Sequence, residues 1–466
     1  MGLGTKGGGV ASAKFAHKHG AFITITDLHD AEYLKDSLFE LEGLPKSLVL
    51  NQHRFEDFEN NDIIIKNPGI KYENKYLQHA LKHNKQIETP ISLFNKFYHK
   101  PYIGITGTKG KSYTTALVTH LLSVFNKNII AAGNNGISPL LFLDKDKTFV
   151  LELSSWQLHE MGIQKKSPHI ACWLNFFPDH MNYYANIEEY YIDKLQITNY
   201  QTENDFLIVP FGYTKLRNIQ TKAHKFIFAI DNLKDCRLNY NESACYIKDS
   251  WIHIKNKSED FKLLSLKAIA ANFAPHQLEL MLASICITYI YVKNKNFTLT
   301  IIKEYLKQGL ATFKGLAYRF ETVFQQEKLT IINDSTASTP ESTILAIKSI
   351  QTQPGILITG GGSHKNLSYS HLANEIAQKN LFVILYSEDE TSELIRKELS
   401  KIYYDKYLIV QNLETALSQA LKLLINRCGT ILFSPACSGY PVFRDMFERG
   451  DIFSNYVSKE SIQKYL

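Results

Sequence analysis

Residues 102–125 constrain the fold more than any other stretch. Tyr102-Ile103-Gly104-Ile105 is an apolar, β-branched run; it enters Thr106-Gly107-Thr108-Lys109-Gly110-Lys111-Ser112, and helical periodicity follows from Tyr113 to Phe125. A strand that runs through glycines into a helix opens a phosphate-binding α/β unit. The glycines let backbone N–H groups converge on phosphate oxygens, the helix N-terminus adds positive potential, a lysine reaches the β- and γ-phosphates and a hydroxyl can hold Mg²⁺. Lys111 and Ser112 supply the last two groups. The strict GxxxxGK[ST] spacing is not met, because Ile105 stands at the first glycine position, so the reading rests on the strand–loop–helix context.

The same alternation recurs on both sides of this unit. Apolar runs at Phe22–Thr26, Asp62–Ile65, Phe149–Leu151, His169–Leu174 and Phe206–Val209 predict parallel strands, and a later series does so at Leu329–Ile332, Gly355–Ile358, Phe382–Leu385 and Thr430–Phe433. At roughly 100–200 residues per domain, 466 residues suggest two to four domains. Connectors are expected around Glu88–Lys100 and Lys293–Thr300, and residues 231–265 read as an antiparallel excursion.

Composition excludes several classes. With 44% hydrophobic and 21% charged residues the chain is globular, neither collagen-like nor disordered. The near-apolar run Leu278–Val292 is too short to span a bilayer, and no secretory leader is visible, so a cytoplasmic protein without a membrane segment is expected. Six cysteines without a CxxC pair indicate neither a zinc site nor a disulfide framework. The net charge of +6 is dispersed, which gives no footprint for nucleic acid and fits a small anionic substrate.

Further candidates follow strands. Glu152 ends the Phe149–Leu153 run, where ligands gather in a nucleotide-binding sheet, and is a candidate Mg²⁺ ligand. His180 and Lys194 lie downstream; alone, each would read as a surface residue. Near the start, Gly2-Leu3-Gly4-Thr5-Lys6-Gly7 with Asp27 about 20 residues on matches a dinucleotide fingerprint. No strand precedes those glycines, so this domain is expected either to lack its first strand or to start upstream, and a nicotinamide oxidoreductase would leave the Lys111 loop unexplained.

Together these motifs resemble the Mur ligase family, the ATP-dependent amide ligases of peptidoglycan precursor synthesis. The resemblance also runs through Ile65–Ile70, Gly133-Asn134-Asn135-Gly136, Pro178-Asp179-His180, Phe313–Arg319, Asn333-Asp334-Ser335, Ser434-Pro435-Ala436-Cys437 and Glu448–Asp451. It implies three α/β domains: a Rossmann-like UDP-binding domain (1–94), a central phosphate-loop ATPase domain (95–300) and a C-terminal Rossmann-like domain (301–466). It implies a monomer that phosphorylates the carboxylate of UDP-N-acetylmuramoyl-L-alanine with ATP and lets an amino acid displace phosphate. Ile332–Ser335 and the Ser-Pro-Ala-Cys run are similar to the D-glutamate-adding branch.

The implied roles are these. Thr106–Ser112 bind ATP, with Gln277 near adenine, Arg319 at phosphate and Asp334 at ribose. Ser112 and Glu152 hold one Mg²⁺; His180 and a carbamylated Lys194 serve a second. Asn134 lies near the reacting carboxylate. Thr5, Lys6, Asp27, Asn67 and Gly69 contact the UDP-sugar, and Thr336, Lys365 and Ser438 the amino acid. Thr336 replaces the family's usual lysine, Gln277 an asparagine and Gly439 a serine, so a related ligase of different amino-acid specificity, or a catalytically weakened nucleotide-sugar-binding homologue, is the alternative.

Overall fold

A computed structural model describes residues 1–458 apart from 182, 231–232, 234–237, 270–272, 274–276, 327, 351–353, 363–366, 425–427 and 440–441. Packing divides the chain into two compact units, one of Met1–Phe273 with Gln277–Phe313 and a second that contains Lys314–Leu466.

The first unit begins with short parallel pairs: β1 (Thr24–Thr26) with β2 (Ser47–Val49), and β3 (Ile63–Ile65) with β4 (Gln86–Glu88). Between them lies Met1–Gly2. The Met1 amine donates to the Ile65 carbonyl (2.9 Å), Asn67 N–H to the Met1 carbonyl (3.0 Å), and Gly2 N–H to the Thr26 carbonyl (2.8 Å). A dipeptide thus makes the backbone bonds expected of a first strand, although no regular strand forms there. Two small cores flank this layer, one around Leu3, Val10, Ile25 and Leu34, the other around Phe58, Ile64, Leu77 and Ala80.

The same unit holds a nine-stranded sheet: β5 (Ile103–Thr106), β6 (Ile129–Gly133), β7 (Thr148–Glu152), β8 (Ile170–Trp173), β9 (Phe206–Pro210), β10 (His224–Ala229), β11 (Glu242–Lys248), β12 (Trp251–Lys255) and β13 (Asp260–Ser265). Its order is β13-β12-β11-β10-β9-β8-β5-β7-β6, parallel from β6 through β11, with β12 and β13 as the antiparallel excursion that the sequence suggests. The chain leaves β5 toward β7 and β6 on one side and returns to β8 on the other. That reversal opens a crevice at the carboxyl ends of the strands.

Both connectors differ from the expectation. Pro90–Phe97 is a helix, started by Pro90 at its first position and a Thr89/Ser92 capping box. The polar stretch Lys293–Thr300 only turns the chain between helices Leu278–Lys293 and Leu299–Thr312. The latter packs on helix Lys111–Phe125, with Gly309 against Leu121, so residues 301–313 belong to the first unit rather than to a domain starting at 301.

The second unit is a six-stranded sheet of β14 (Glu321–Gln326), β15 (Leu329–Asn333), β16 (Gly355–Thr359), β17 (Phe382–Tyr386), β18 (Tyr407–Val410) and β19 (Gly429–Phe433), ordered β14-β15-β19-β16-β17-β18 and parallel except for β14. Alternate side chains enter opposite cores: Ile356 and Ile358 pack with Leu413 and Phe453, whereas Leu357 packs with Ile347 and Leu372. Burial on both faces explains why these strands read as continuous apolar runs.

Candidate active site

β5 ends at Thr106, whose hydroxyl donates to the Leu153 carbonyl (2.8 Å). Helix Lys111–Phe125 then starts at Gly110, whose φ of +84° suits glycine, and a Cβ there would lie 2.6 Å from Leu280 Cδ2. Asn175, just past β8, holds the loop. Its Oδ1 accepts from Thr108 N–H (3.0 Å) and Lys109 N–H (2.9 Å), and its Nδ2 donates to the Lys109 carbonyl (3.0 Å). Sequence reasoning missed Asn175 as a site residue; its signal was an amide directly after a strand facing a glycine loop.

Two lysines meet at this loop. Lys111 Nζ donates to the carbonyls of Gly107 (2.9 Å) and Thr108 (3.1 Å). Lys194, on helix Ile187–Leu195, is 1% exposed, and its Nζ donates to Thr106 Oγ1 and the Gly107 carbonyl, both at 3.1 Å. Burial, and then the charge of Lys111, hold the Lys194 ammonium well below the usual lysine range, against the pull of Asp179, Asp193 and Glu152.

Glu152 ends β7 and is buried. Its Oε1 accepts from Asn134 Nδ2 (3.0 Å) and its carbonyl from Asn134 N–H (2.9 Å). Its Oε2 has no hydrogen-bond partner among the described residues. A buried carboxylate oxygen left bare costs free energy, and a hard-oxygen ligand of this kind suits Mg²⁺. Gly133 makes room for the approach: a Cβ there would lie 2.3 Å from the Glu152 carbonyl oxygen. The Ser154-Ser155 pair after Glu152 starts a helix instead, because Ser154 and Gln157 form a capping box.

His180 is exposed, with φ +57°, and its ring lies beside Trp156 (centroids 5.2 Å). Partial burial and the cations Lys111, Lys194 and Lys109 lower its pKa, with Asp179 opposing. Trp156 also borders the UDP-sugar candidates, since a Cβ on Gly69 would lie 3.7 Å from its ring. Asn67 is exposed and accepts from Gly69 N–H (3.1 Å); Thr5 and Lys6 are exposed on the glycine loop. Asp27 faces inward, its carboxylate accepting from Gly4 N–H (3.1 Å), His29 N–H (3.0 Å) and His29 Nδ1 (2.8 Å); these bonds lower its pKa despite burial. Gly7 approaches the Gly136 carbonyl, so this loop borders the Asn134 turn. Lys111, Lys194, Ser112, Asn134, Glu152 and His180 therefore lie in one region of the first unit. Gln277, buried, stands at the N-cap position of helix Leu278–Lys293.

In the second unit Asp334 is buried after β15 and accepts from Phe320 N–H (3.0 Å) and Ser434 Oγ (2.9 Å). Burial pushes its pKa up to about 7 against these bonds and the charges of Arg319 and Arg449. Arg319, half-buried, precedes Phe320 in sequence and pairs with Leu316 through an isolated antiparallel bridge. Thr336 donates its N–H (3.0 Å) and hydroxyl (2.8 Å) to the Tyr318 carbonyl, so it latches a loop. Ser438 is half-buried, its carbonyl against Gly362. Lys365 lies outside the described residues.

A phosphate loop at a strand-order reversal, with a lysine on each side of it and a metal-competent carboxylate next to it, defines an ATP-using α/β enzyme. Comparison narrows the class. The Mur ligase middle domain profile matches residues 105–273. The UDP-N-acetylmuramoylalanine–D-glutamate ligase of Borreliella burgdorferi strain B31 is 34% identical over 470 residues, covering 98% of this chain and 96% of the relative. The enzyme of that name from Treponema pallidum strain Nichols is 28% identical over 520 residues, covering 98% and 96%. The chain belongs to the Mur ligase family. Among solved structures, the UDP-N-acetylmuramate–alanine ligase of Thermotoga maritima superposes with a TM-score of 0.58 at 17% identity, covering 98% of this chain and 97% of that one, and MurF of Acinetobacter baumannii with 0.58 at 13%, covering 95% and 92%. These share the fold.

Among the described residues no helix is long and apolar enough to cross a membrane.

Proposed function

We propose that this chain joins D-glutamate to UDP-N-acetylmuramoyl-L-alanine at the expense of ATP, releasing ADP and phosphate, in peptidoglycan precursor synthesis. The observation that carries the reaction class is the meeting of Lys111 and Lys194 on the Gly107 carbonyl beside the bare oxygen of Glu152. The amino acid rests on the names of relatives aligned over 98% of the chain.

The chemistry follows from charge. A substrate carboxylate oxygen must attack the γ-phosphorus while the β–γ bridging oxygen leaves with ADP, and two anions do not approach unless cations hold both. Lys111 and the loop N–H groups would bind the phosphates, and Asn134 would orient the carboxylate. The neutral amine of D-glutamate then attacks the acyl carbon, the nitrogen gives up one proton to solvent or the departing phosphate, and phosphate leaves with the C–O bond electrons, so the amide keeps one N–H.

Mur ligases use ATP and Mg²⁺, and the Glu152 oxygen and Ser112 hydroxyl fit the ion; when bound, it neutralises charge shared between phosphate and carboxylate. We assign a second ion to His180 and a carbamylated Lys194. Carbamylation needs a neutral amine, which burial beside Lys111 favours. Gln277 for adenine, Arg319 for phosphate, Asp334 for ribose, and Thr336, Lys365 and Ser438 for the amino acid belong to the same proposal. So do Thr5, Lys6, Asp27, Asn67 and Gly69 for the UDP-sugar, a monomeric state and a cytoplasmic location. Phosphate release from ATP with UDP-N-acetylmuramoyl-L-alanine and a panel of amino acids tests it: D-glutamate should stimulate release most, and stimulation by another amino acid alone would reassign the specificity.

A further inference from the structure

We propose that Glu59, His79 and His83 form a binding site for a borderline divalent transition-metal ion of the Zn²⁺ type, separate from the catalytic Mg²⁺ chemistry. Helix Lys75–Lys82 carries His79 in its last turn and ends on His83, and the four-residue spacing stacks both imidazoles on one helix face, with ring centroids 4.3 Å apart. Glu59, the last residue of helix Phe55–Glu59, faces both. Its Oε2 is 3.4 Å from His79 Nε2 and its Oε1 3.7 Å from His83 Nε2. One ligand atom from each of the three residues lies within 4.8 Å of the other two. Ligands at about 2.0–2.1 Å from a tetrahedral ion stand roughly 3.4 Å apart, so modest side-chain rotation closes the set.

The tautomer of His83 is also arranged for this. Its Nδ1 is 2.9 Å from the His79 carbonyl, which can only accept, so Nδ1 carries a proton and Nε2, on the Glu59 side, is the nitrogen left for a metal. Metal-bound histidines use this outer hydrogen bond to fix the ring. Two imidazoles and one carboxylate form an N/O donor set that suits Zn²⁺ and its neighbours, whereas Mg²⁺ prefers oxygen ligands alone. The side chains of Glu59, His79 and His83 are 50%, 25% and 39% exposed, which leaves an ion access from solvent and a fourth position for water. Binding would tie together the ends of two helices that cover the Phe58, Ile64, Leu77 and Ala80 core, so occupancy should stabilise the fold in proportion to free metal.

The test uses the untagged full chain stripped with a chelator and titrated with Zn²⁺, with Co²⁺ as a spectroscopic probe and Mg²⁺ as control. The wild type should bind one equivalent of Zn²⁺ that Mg²⁺ does not displace, show the visible absorption of tetrahedral Co²⁺, and melt at a higher temperature with the metal. His79→Ala and His83→Ala should each weaken binding at least about tenfold and abolish the Co²⁺ band, while ATP-dependent turnover with Mg²⁺ stays unchanged. Absence of saturable Zn²⁺ binding in the wild type, or binding weakened in neither variant or in only one, would overturn the three-ligand site.

Discussion

Lys111 and Lys194 reach the same carbonyl, that of Gly107, at 2.9 and 3.1 Å. Two ammonium groups on one acceptor repel, and an anion placed between them relieves the repulsion. Removing Lys111 should therefore cost turnover far more than stability: Lys111→Ala is expected to lose about 3 kcal/mol or more of transition-state stabilisation, more than a hundredfold in rate, with an unchanged melting curve. A near-wild-type rate would refute the phosphate role. Lys194 differs, because a carbamate there would turn the repulsion into an ion pair with Lys111. Lys194→Ala should lose most activity and regain part of it with added acetate or formate, while Lys194→Arg, which keeps its cation, should not respond. Asn175→Ala leaves two loop N–H groups short of a side-chain acceptor; at about 1–3 kcal/mol for an unsatisfied buried donor it should lower stability and raise the KM for ATP together.

Strands are where the sequence was most readable. β5, β7, β8 and β9 in the first unit and β15, β16, β17 and β19 in the second are buried runs, and their apolar character alone revealed them. β2, β4 and β18 were not legible: they are three- or four-residue strands at sheet margins with exposed positions such as Ser47, Gln86 and Ile409, so little burial marks them. The connectors were misread because Pro90 and the polar residues after Lys293 are turn signals that here flank helices. In the site, the glycine loop and Glu152 were legible since chemistry dictates their type. The latch of Thr336 on Tyr318 depends on a contact between separate segments that no local pattern encodes, and the amide after β8 marks Asn175 only once the glycine loop is known to lie opposite it. The margin between β6 and β7 offers a test of element geometry. Gly133, at φ +106°, has the Glu152 carbonyl where a Cβ would go, so Gly133→Ala should displace Glu152 and lower activity, with a raised Mg²⁺ requirement as the measurement that separates this from simple unfolding.

For the molecule as a whole, buried charge sets the response to pH and to mutation. Asp334 holds its proton up to about pH 7 when folded but releases it near pH 4 when unfolded, so its contribution to stability is full below about pH 4 and is lost as pH rises toward 7. Relative to the wild type, Asp334→Asn should gain stability across that window; parallel denaturation midpoints from pH 4 to 7 would contradict the assignment. The buried pair Lys66–Glu160 (2.6 Å), to which Tyr72 also donates (2.9 Å), joins the segment before Asn67 to the helix that follows Glu152. Lys66→Met should cost about 3–5 kcal/mol in chemical denaturation, and adding Glu160→Leu should recover part of it, since the loss comes from a stranded charge. Distance along the chain matters as well. Thr108 and Asn175 are 67 residues apart, and at about 5–20 residues per second a ribosome takes roughly 3–13 s to deliver the second after the first. Throughout that interval the Thr108 and Lys109 N–H groups lack the side-chain acceptor they will later share, so the cradle reaches its final shape only once β8 has emerged and paired.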